Sequence, residues 1–278
     1  MGPAFALPAK RSLPLNSFGY MPCMEVRLSA LKDFPMVEPG DDLLAMILVA
    51  IRANGLFIRD QDVVVLAQKI VSKAENRYVI LDSVTPSTAA LSLAREVEKD
   101  PRFVELVLRE SKHVVRKKPG VLIVEHRLGF VHANAGIDQS NIDHSQAERV
   151  LLLPENPDAS AEKLRQGIEQ ALGARVAVII NDSMGRAWRN GTLGLAIGVA
   201  GMDAIDNKIG QHDLFGRELK VTAAAVADEL AAGASVMMGQ TTEKTPVVLV
   251  RGYPLPLKSS VESGVRNLLR DEKQDLFR

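Results

Sequence analysis

Short apolar runs of four to eight residues recur along this chain and alternate irregularly with longer helical patterns. Runs of this length are typical of buried strands. Two of them are separated only by His126 and Arg127, which predicts a hairpin and therefore an antiparallel part of the sheet. We predict an α+β fold in which a mixed, partly antiparallel sheet packs with helices. The strand candidates lie at residues 24–28, 63–70, 121–125, 128–133, 175–180, 194–199 and 246–251.

Helix signals mark six further segments. Asp41 and Asp42 stand before one segment that stops at Gly55, and Pro86 and Pro101 each stand at a helix-start position. The predicted helices span residues 41–54, 86–98, 101–112, 159–172, 221–238 and 259–276.

The charge balance narrows the possible partners. Lys plus Arg equals Asp plus Glu at 34 each, so we expect neither a nucleic-acid footprint nor an anionic-membrane surface. Cys23 is the only cysteine, which excludes internal disulfides and multi-cysteine metal sites. No apolar run approaches the ~18 residues of a transmembrane helix. We expect a cytoplasmic protein that does not bind membranes.

The first 23 residues lack the order of a signal peptide, because their basic residues follow a short apolar stretch that prolines interrupt. We expect residues 1–23 to be a flexible extension. Residues 24–278 then form the domain, with two subdomains as an option. Met24 opens the first strand candidate and is a candidate for the natural start.

Two polar loops that follow apolar runs carry the main chemical signal. HANAGIDQSN holds Asp138 and Asn141, and IINDSMGRAWRNG holds Asp182 and Ser183. Mg²⁺ typically takes one or two carboxylates and completes its shell with water and substrate phosphates. The alternative for each loop is an ordinary Asx or Ser turn that closes a strand.

Basic side chains near these loops suit anions. Arg186 and Arg189 in GRAWRNG predict a clamp for phosphate or carboxylate, and the alternative is a solvated loop with Trp188 packed on the core. Lys69 stands inside a predicted strand and Lys73 just past it. Lys73 is either a phosphate ligand or a surface lysine.

Two more polar segments have an open interpretation. GQHDLFGRE combines His212, Asp213 and Arg217, which predicts acid–base work or a local Asp–Arg pair. Residues 238–246 either wrap a nucleotide or simply connect a helix to a strand. The residues alone therefore predict a metal-dependent enzyme of phosphate chemistry, with no named substrate.

The motifs, taken in order, resemble the coenzyme F420-0:L-glutamate ligase family from about Met24 to the C-terminus. The resemblance implies an intertwined homodimer that uses GTP and divalent metal to attach L-glutamate to the lactyl carboxylate of the deazaflavin precursor F420-0. It also implies further glutamates added through the γ-carboxylate, and we expect an acyl-phosphate intermediate. The matching motifs are FPMVEPGDDL, LAQKIVSKAE, HANAGIDQSN, LLLPENPDASAEKLR, INDSMGRAWRNG, LAIGVAG, HDLFGRELKVT, AVADELA and MMGQ.

The same resemblance implies roles for individual residues. Asp138 and Asp182 would bind one Mg²⁺ or Mn²⁺, and Ser183 and Gln240 would serve a second ion, with K⁺ as a further candidate. Gln240 stands where some members carry Glu, and Gln68-Lys69 stands where some carry Ser-Thr. The implied nucleotide contacts are Phe34, Pro35, Met36, Val37, Gln68, Lys69, Lys73, Asn141, Met238, Gly239, Gln240, Thr241, Thr242, Glu243, Lys244 and Thr245.

For catalysis we expect Asp182, Arg186 and Arg189 to offset the charge of the reacting groups, with His212 and Asp213 as candidates for the general base. Two other functions remain open at this point. One is a metal-dependent, GTP-using phosphotransferase or hydrolase that acts on another carboxylic acid. The other is a GTP-binding dimeric module without turnover.

Overall fold

The computed structural model describes residues 24–254, 256–258 and 264–276. No helix within these ranges has the length and apolar character needed to cross a membrane. In chain order the elements are β1 (Arg27–Ala30), α1 (Leu43–Ala53), β2 (Val63–Ala67), α2 (Gln68–Ala74), β3 (Tyr78–Ile80), α3 (Thr88–Val97), α4 (Pro101–Arg109), β4 (Ser111–Lys118), β5 (Val121–His126), β6 (Val131–Ala133), β7 (Arg149–Leu151), α5 (Pro157–Leu172), β8 (Ala177–Arg186), β9 (Arg189–Ala200), β10 (Asp206–Asn207), β11 (Ala223–Ala224), α6 (Val226–Met238) and β12 (Val247–Arg251).

The main sheet has five strands in the order β1-β12-β2-β8-β9. β2 and β8 run parallel, and the other neighbours run antiparallel, so the sheet is mixed. Val63, Val64 and Val65 in the central strand are all buried, which means that both faces of the sheet are covered. α6 packs across the sheet, and α5 packs on β8 and β9.

Residues 77–152 contribute a second layer with its own hydrophobic core, and Leu153 packs in the core of the main sheet. The antiparallel sheet β4-β5-β6 packs one face on α3 and α4, with Leu122 and Val124 buried at the contact. Arg77 and Leu153 join the two layers, because the Arg77 Nε atom donates to the Leu153 carbonyl at 2.9 Å. The described chain therefore has two hydrophobic cores with a seam between them.

The α+β class and the mixed sheet are confirmed, but several predicted elements differ from the structure. The helix predicted at 221–238 begins only at Val226, because Ala223–Ala224 form the short strand β11. The strand predicted at 63–70 ends at Ala67, and Lys69 lies in α2. β12 begins at Val247, opposite Leu66, and the chain turns into a helix directly after Ala67. Residues 259–263 of the predicted C-terminal helix lie outside the described residues, as does the predicted extension at 1–23.

The described part of that C-terminal segment, residues 264–276, forms 3₁₀ turns at Gly264–Leu268 and Glu272–Gln274 rather than an α-helix. The backbone N–H of Val265 bonds the Asp158 carboxylate at 3.2 Å. That contact takes the donor that a continuous helix would use within itself.

The segment predicted as a polar loop at 181–191 is instead the far half of a long hairpin. β8 continues through Asp182 to Arg186, and β9 starts at Arg189. Trp188 sits in the turn at φ +67° and is 83% exposed. Packing of Trp188 on the core is therefore wrong for this chain.

A buried ion pair joins the end of β12 to the start of β2. Asp62 is 1% exposed and accepts hydrogen bonds from Arg251 Nε at 2.8 Å and from Arg251 Nη2 at 2.6 Å. Arg251→Ala would leave this carboxylate buried without its partner, so we expect the free energy of unfolding to fall by about 3 kcal/mol. Urea denaturation measures the change.

The exposed pair Arg175–Asp60, 3.8 Å apart, provides the matched control. We expect Arg175→Ala to cost less than ~0.5 kcal/mol, because surface pairs contribute little. Equal losses in the two variants would show that the Asp62–Arg251 contact does not hold the strands together.

Candidate active site

A cavity of about 710 Å³ opens at the seam between the two cores. The main layer contributes the segment before α1, the start of α2, the middle of β8 and the loop after α6. The second layer contributes the chain from β6 to Asp143. All the residues expected to contact nucleotide or metal line this cavity: Phe34, Pro35, Met36, Val37, Gln68, Lys69, Lys73, Asp138, Asn141, Asp182, Ser183, Met238, Gly239, Gln240, Thr241, Thr242, Glu243, Lys244 and Thr245.

Helix α2 presents a polar face to the cavity directly after β2, with no loop between them. Residues four apart share a helix face, which places Gln68 with Ser72 and Lys69 with Lys73. The Ser72 hydroxyl donates to Gln68 Oε1 at 2.9 Å and orients the amide. Lys69 Nζ donates to the Ser140 hydroxyl at 3.1 Å, and Lys73 Nζ donates to the Asn141 carbonyl at 3.0 Å. Both ammonium groups thus reach across the seam.

A left-handed turn carries the chain from β6 to Asp138. Asn134, Ala135 and Gly136 all have positive φ, at 53°, 55° and 68°. Gly136 is required for a second reason, since a Cβ there would lie about 3 Å from the Leu153 side chain. The backbone of Asp138 then forms two 2.9 Å hydrogen bonds with Leu151. Backbone strain of this kind is typical of functional sites, where the surrounding structure maintains it.

Asp138 is a half-buried carboxylate between two donors. Gln68 Nε2 donates to Oδ2 at 2.6 Å, and Lys69 Nζ lies 3.4 Å from Oδ1. Burial raises the pKa of Asp138, Lys69 opposes that rise, and the nearby negative charge of Asp182 adds to it. The two carboxylates are therefore close enough to repel each other.

Asp182 enters the cavity from the main sheet. An irregularity in the β8–β9 pairing between Ile180 and Asn181 marks where the buried apolar stretch of β8 gives way to polar side chains. Gly194 faces this point, and its Cα leaves no room for a side chain against Ser235. Asp182 Oδ1 accepts from the backbone N–H of Ser183 at 2.8 Å, and Asp182 Oδ2 is buried and faces His132.

His132 is a cavity residue that sequence reasoning missed. Its Nε2 lies 3.2 Å from Asp182 Oδ2, and its Nδ1 lies 2.8 Å from the Ala133 carbonyl. Burial lowers the pKa of His132, but the adjacent Asp182 outweighs burial and the net shift is upward. The available signal was its place in HANAGID, since histidine spacing alone shows no ligand pattern.

The donor set fits a hard divalent cation. Asp138 and Asp182 bring two partly buried negative charges to one cavity, so a cation between them would stabilise both. No group of three or more His, Cys, Asp or Glu within the described ranges forms a complete protein cage for a metal. Mg²⁺ suits such a site, because it keeps waters and takes phosphate oxygens as ligands.

The loop after α6 closes one side of the cavity. Its shape is set locally: Gly239 has φ +71°, and Glu243 accepts from the backbone N–H of Thr241 at 2.8 Å. Asn141 Nδ2 donates to the Thr241 carbonyl at 3.0 Å and links the loop to the second layer. Burial lowers the pKa of Lys73, the ammonium group beneath this link.

The four other predicted catalytic residues do not line the cavity of the single chain. Arg186 and Arg189 pair across the tip of the β8–β9 hairpin, and Arg186 Nη1 donates to the Gly191 carbonyl at 3.2 Å. His212 and Asp213 lie between β10 and β11, where Asp213 accepts from backbone N–H groups of its own turn. Their catalytic roles stay predictions.

Comparisons with known proteins place this chain in a family. The model of the family described as F420-0:Gamma-glutamyl ligase matches residues 32–252. A coenzyme F420:L-glutamate ligase of Methanothermobacter thermautotrophicus is 44% identical over 255 residues, which covers 92% of this chain and 100% of that protein. The coenzyme F420:L-glutamate ligase of Archaeoglobus fulgidus is 40% identical, over 92% of this chain and 97% of that protein. Another from Methanocaldococcus jannaschii is 44% identical, covering 80% and 86%.

The matched span includes all of the residues that line the cavity, from Phe34 to Pro246. The chain therefore belongs to the F420-0:gamma-glutamyl ligase family.

Proposed function

We propose that this chain is a GTP- and divalent-metal-dependent ligase that joins L-glutamate to the carboxylate of coenzyme F420-0. The observation that carries the proposal is the meeting of Asp138 and Asp182, from two separate cores, in a cavity that also holds Lys69 and Lys73. The names of the relatives support the acceptor and the amino acid.

Charge explains why these groups are needed together. A triphosphate and two carboxylic acids bring several negative charges to one place, and they repel one another without cations. Lys69 and Lys73 supply two positive charges from one helix face. A divalent ion held by Asp138 and Asp182 would polarise phosphate oxygens and offset charge in the transition state. Ser183 and Gln240 are the proposed ligands of a second ion.

The proposed reaction has two steps. The acceptor carboxylate oxygen attacks the γ-phosphorus of GTP, the bond to the β-phosphate oxygen breaks, and GDP leaves. The glutamate amine then attacks the carbonyl carbon of the acyl phosphate, and inorganic phosphate leaves as the amide forms. The amine gives up a proton to a base. The chain's task is to align these groups and exclude water, which alone can lower a barrier substantially.

A homodimer is part of the proposal. The segment between β10 and β11 carries Leu214 and Phe215, which are 98% and 96% exposed. Apolar side chains on an extended hairpin are suited to contact a second copy of the chain. Such a contact would give Arg186, Arg189, His212 and Asp213 a partner surface that the single chain does not offer.

Product analysis by mass spectrometry tests the reaction directly. Purified protein is incubated with F420-0, L-glutamate, GTP and Mg²⁺ or Mn²⁺, and each component is omitted in turn. We expect a product heavier by one or more glutamyl units, formed only when all four are present. GDP release that does not require glutamate would instead indicate a phosphotransferase or hydrolase.

Substitution of Asp182 tests the paired carboxylates. We expect Asp182→Asn to reduce turnover at least ~100-fold, because a lost ligand should cost at least as much as a lost outer-shell partner. The metal-free variant should keep a melting temperature close to that of the wild type, since it removes both the repulsion from Asp138 and the attraction to His132. Added Mn²⁺ should raise the melting temperature of the wild type only.

Asp60→Asn is the control, because Asp60 is exposed and lies outside the cavity. Its turnover and its response to Mn²⁺ should match those of the wild type. Full activity of Asp182→Asn would remove Asp182 from the metal site.

A further inference from the structure

One face of the β4-β5-β6 sheet is open to solvent. The other face packs on the second core through Leu122 and Val124. Register places Arg116 beside Ile123, and Ile123 beside Ala133, so these three share a row on the open side. We call this surface the basic platform and define it by Arg116, Lys118, Val121, Ile123, Val131 and Ala133. Glu125 lies opposite Val131 on the same face, where it is buried and paired with Lys112.

The centre of the platform is apolar. Val131 is 40% exposed, and Val121 and Ile123 are half-buried. These side chains are more exposed than Leu122 and Val124 on the opposite face, which are both 0% exposed. Burial of such a half-exposed apolar strip under a ligand of matching shape is favourable, because it removes apolar surface from water.

The rim of the platform carries positive charge that the described protein does not neutralise. Arg116 and Lys118 are exposed, and neither pairs with a carboxylate in the described ranges. Their neighbour Lys117 points to the other face and is paired with Glu96 at 2.6 Å. The unpaired cations are therefore confined to the open face at this end of β4.

A second group on the same sheet is already balanced. Lys112 lies 2.9 Å from the buried carboxylate of Glu125, and His113 lies 3.8 Å from it. This leaves Arg116 and Lys118 as the platform's available cations.

The platform begins at the carboxylate end of the cavity. Ala133 lines the cavity, and the adjacent His132 touches Asp182. Two strand spacings separate Ala133 from Arg116, or about 10 Å. The expected nucleotide contacts in α2 and in the loop after α6 belong to other elements. A ligand that reacts beside Asp138 and Asp182 and extends away from those elements would cross the platform.

We propose that the basic platform binds the body of the anionic acceptor, with its apolar part on Ile123 and Val131 and its oxyanions on Arg116 and Lys118. This inference rests on the proposed ligase function. A reacting carboxylate held in the cavity leaves the rest of the acceptor outside. Each further γ-linked glutamate would move an earlier α-carboxylate outward along the same cationic row, so one surface serves every round of addition.

Charge reversal on the rim tests the platform. The double variant Arg116→Glu, Lys118→Glu is compared with the wild type and with Lys163→Glu, an exposed lysine on α5 that lies outside the cavity. Equilibrium dialysis of F420-0, without GTP or glutamate, should show at least tenfold weaker binding in the double variant, or ~1.4 kcal/mol. Binding by Lys163→Glu should equal that of the wild type.

Kinetics give a second readout that a general folding defect would not imitate. The double variant should have a KM for F420-0 about tenfold above the wild-type value, with an unchanged KM for GTP and an unchanged melting temperature. The single variant Arg116→Lys keeps the positive charge, so its KM for F420-0 should stay close to the wild-type value. Unchanged F420-0 binding in the double variant overturns the platform, whether or not the wild type turns over. A wild type that binds F420-0 on the platform but forms no glutamylated product would overturn the ligase reaction and keep the binding site.

Discussion

The meeting of two carboxylates, Asp138 and Asp182, in one cavity is the constraint on which the rest of this site depends. Each carboxylate increases the free-energy cost of the other's negative charge. Neither can move away, because each lies on a segment that packs on a different core. The protein offsets the cost with Lys69, Gln68 and His132, which approach the two groups from separate elements. A cation bound between the two carboxylates would offset the negative charge that these groups leave.

Backbone geometry, more than side-chain identity, delivers those carboxylates. The left-handed residues Asn134, Ala135 and Gly136 redirect the chain so that Asp138 pairs with Leu151 and still faces the cavity. On the other side, the irregular pairing before Asn181 lets one strand hold apolar residues at its start and polar ones further on. Both devices cost stability locally and are held by packing elsewhere. Two separate cores make that support possible.

Local sequence patterns predicted much of this fold, and their failures share a cause. The α+β class, most helices and the 121–133 hairpin follow from periodicity and turn residues. The predicted strand includes Lys69 because the sequence of an apolar run does not show where pairing with the neighbouring strand stops. The alternative interpretation of GRAWRNG packs Trp188 on the core, whereas the tip of a hairpin exposes it. Each of these depends on contacts between distant parts of the chain.

In the candidate site, too, the features that sequence reasoning missed depend on contacts between distant parts of the chain. The residues that the resemblance assigns to nucleotide and metal line one cavity, and the seam between the two cores is what brings them together. His132 escaped notice because its partner, Asp182, is fifty positions away in sequence. Because the seam joins a layer that holds the α2 lysines to a layer that ends in an open sheet face, its shape separates two tasks. In the proposed function, the expected phosphate contacts lie on the main layer and the second layer leads outward, so the proposed acceptor would lengthen without disturbing the nucleotide.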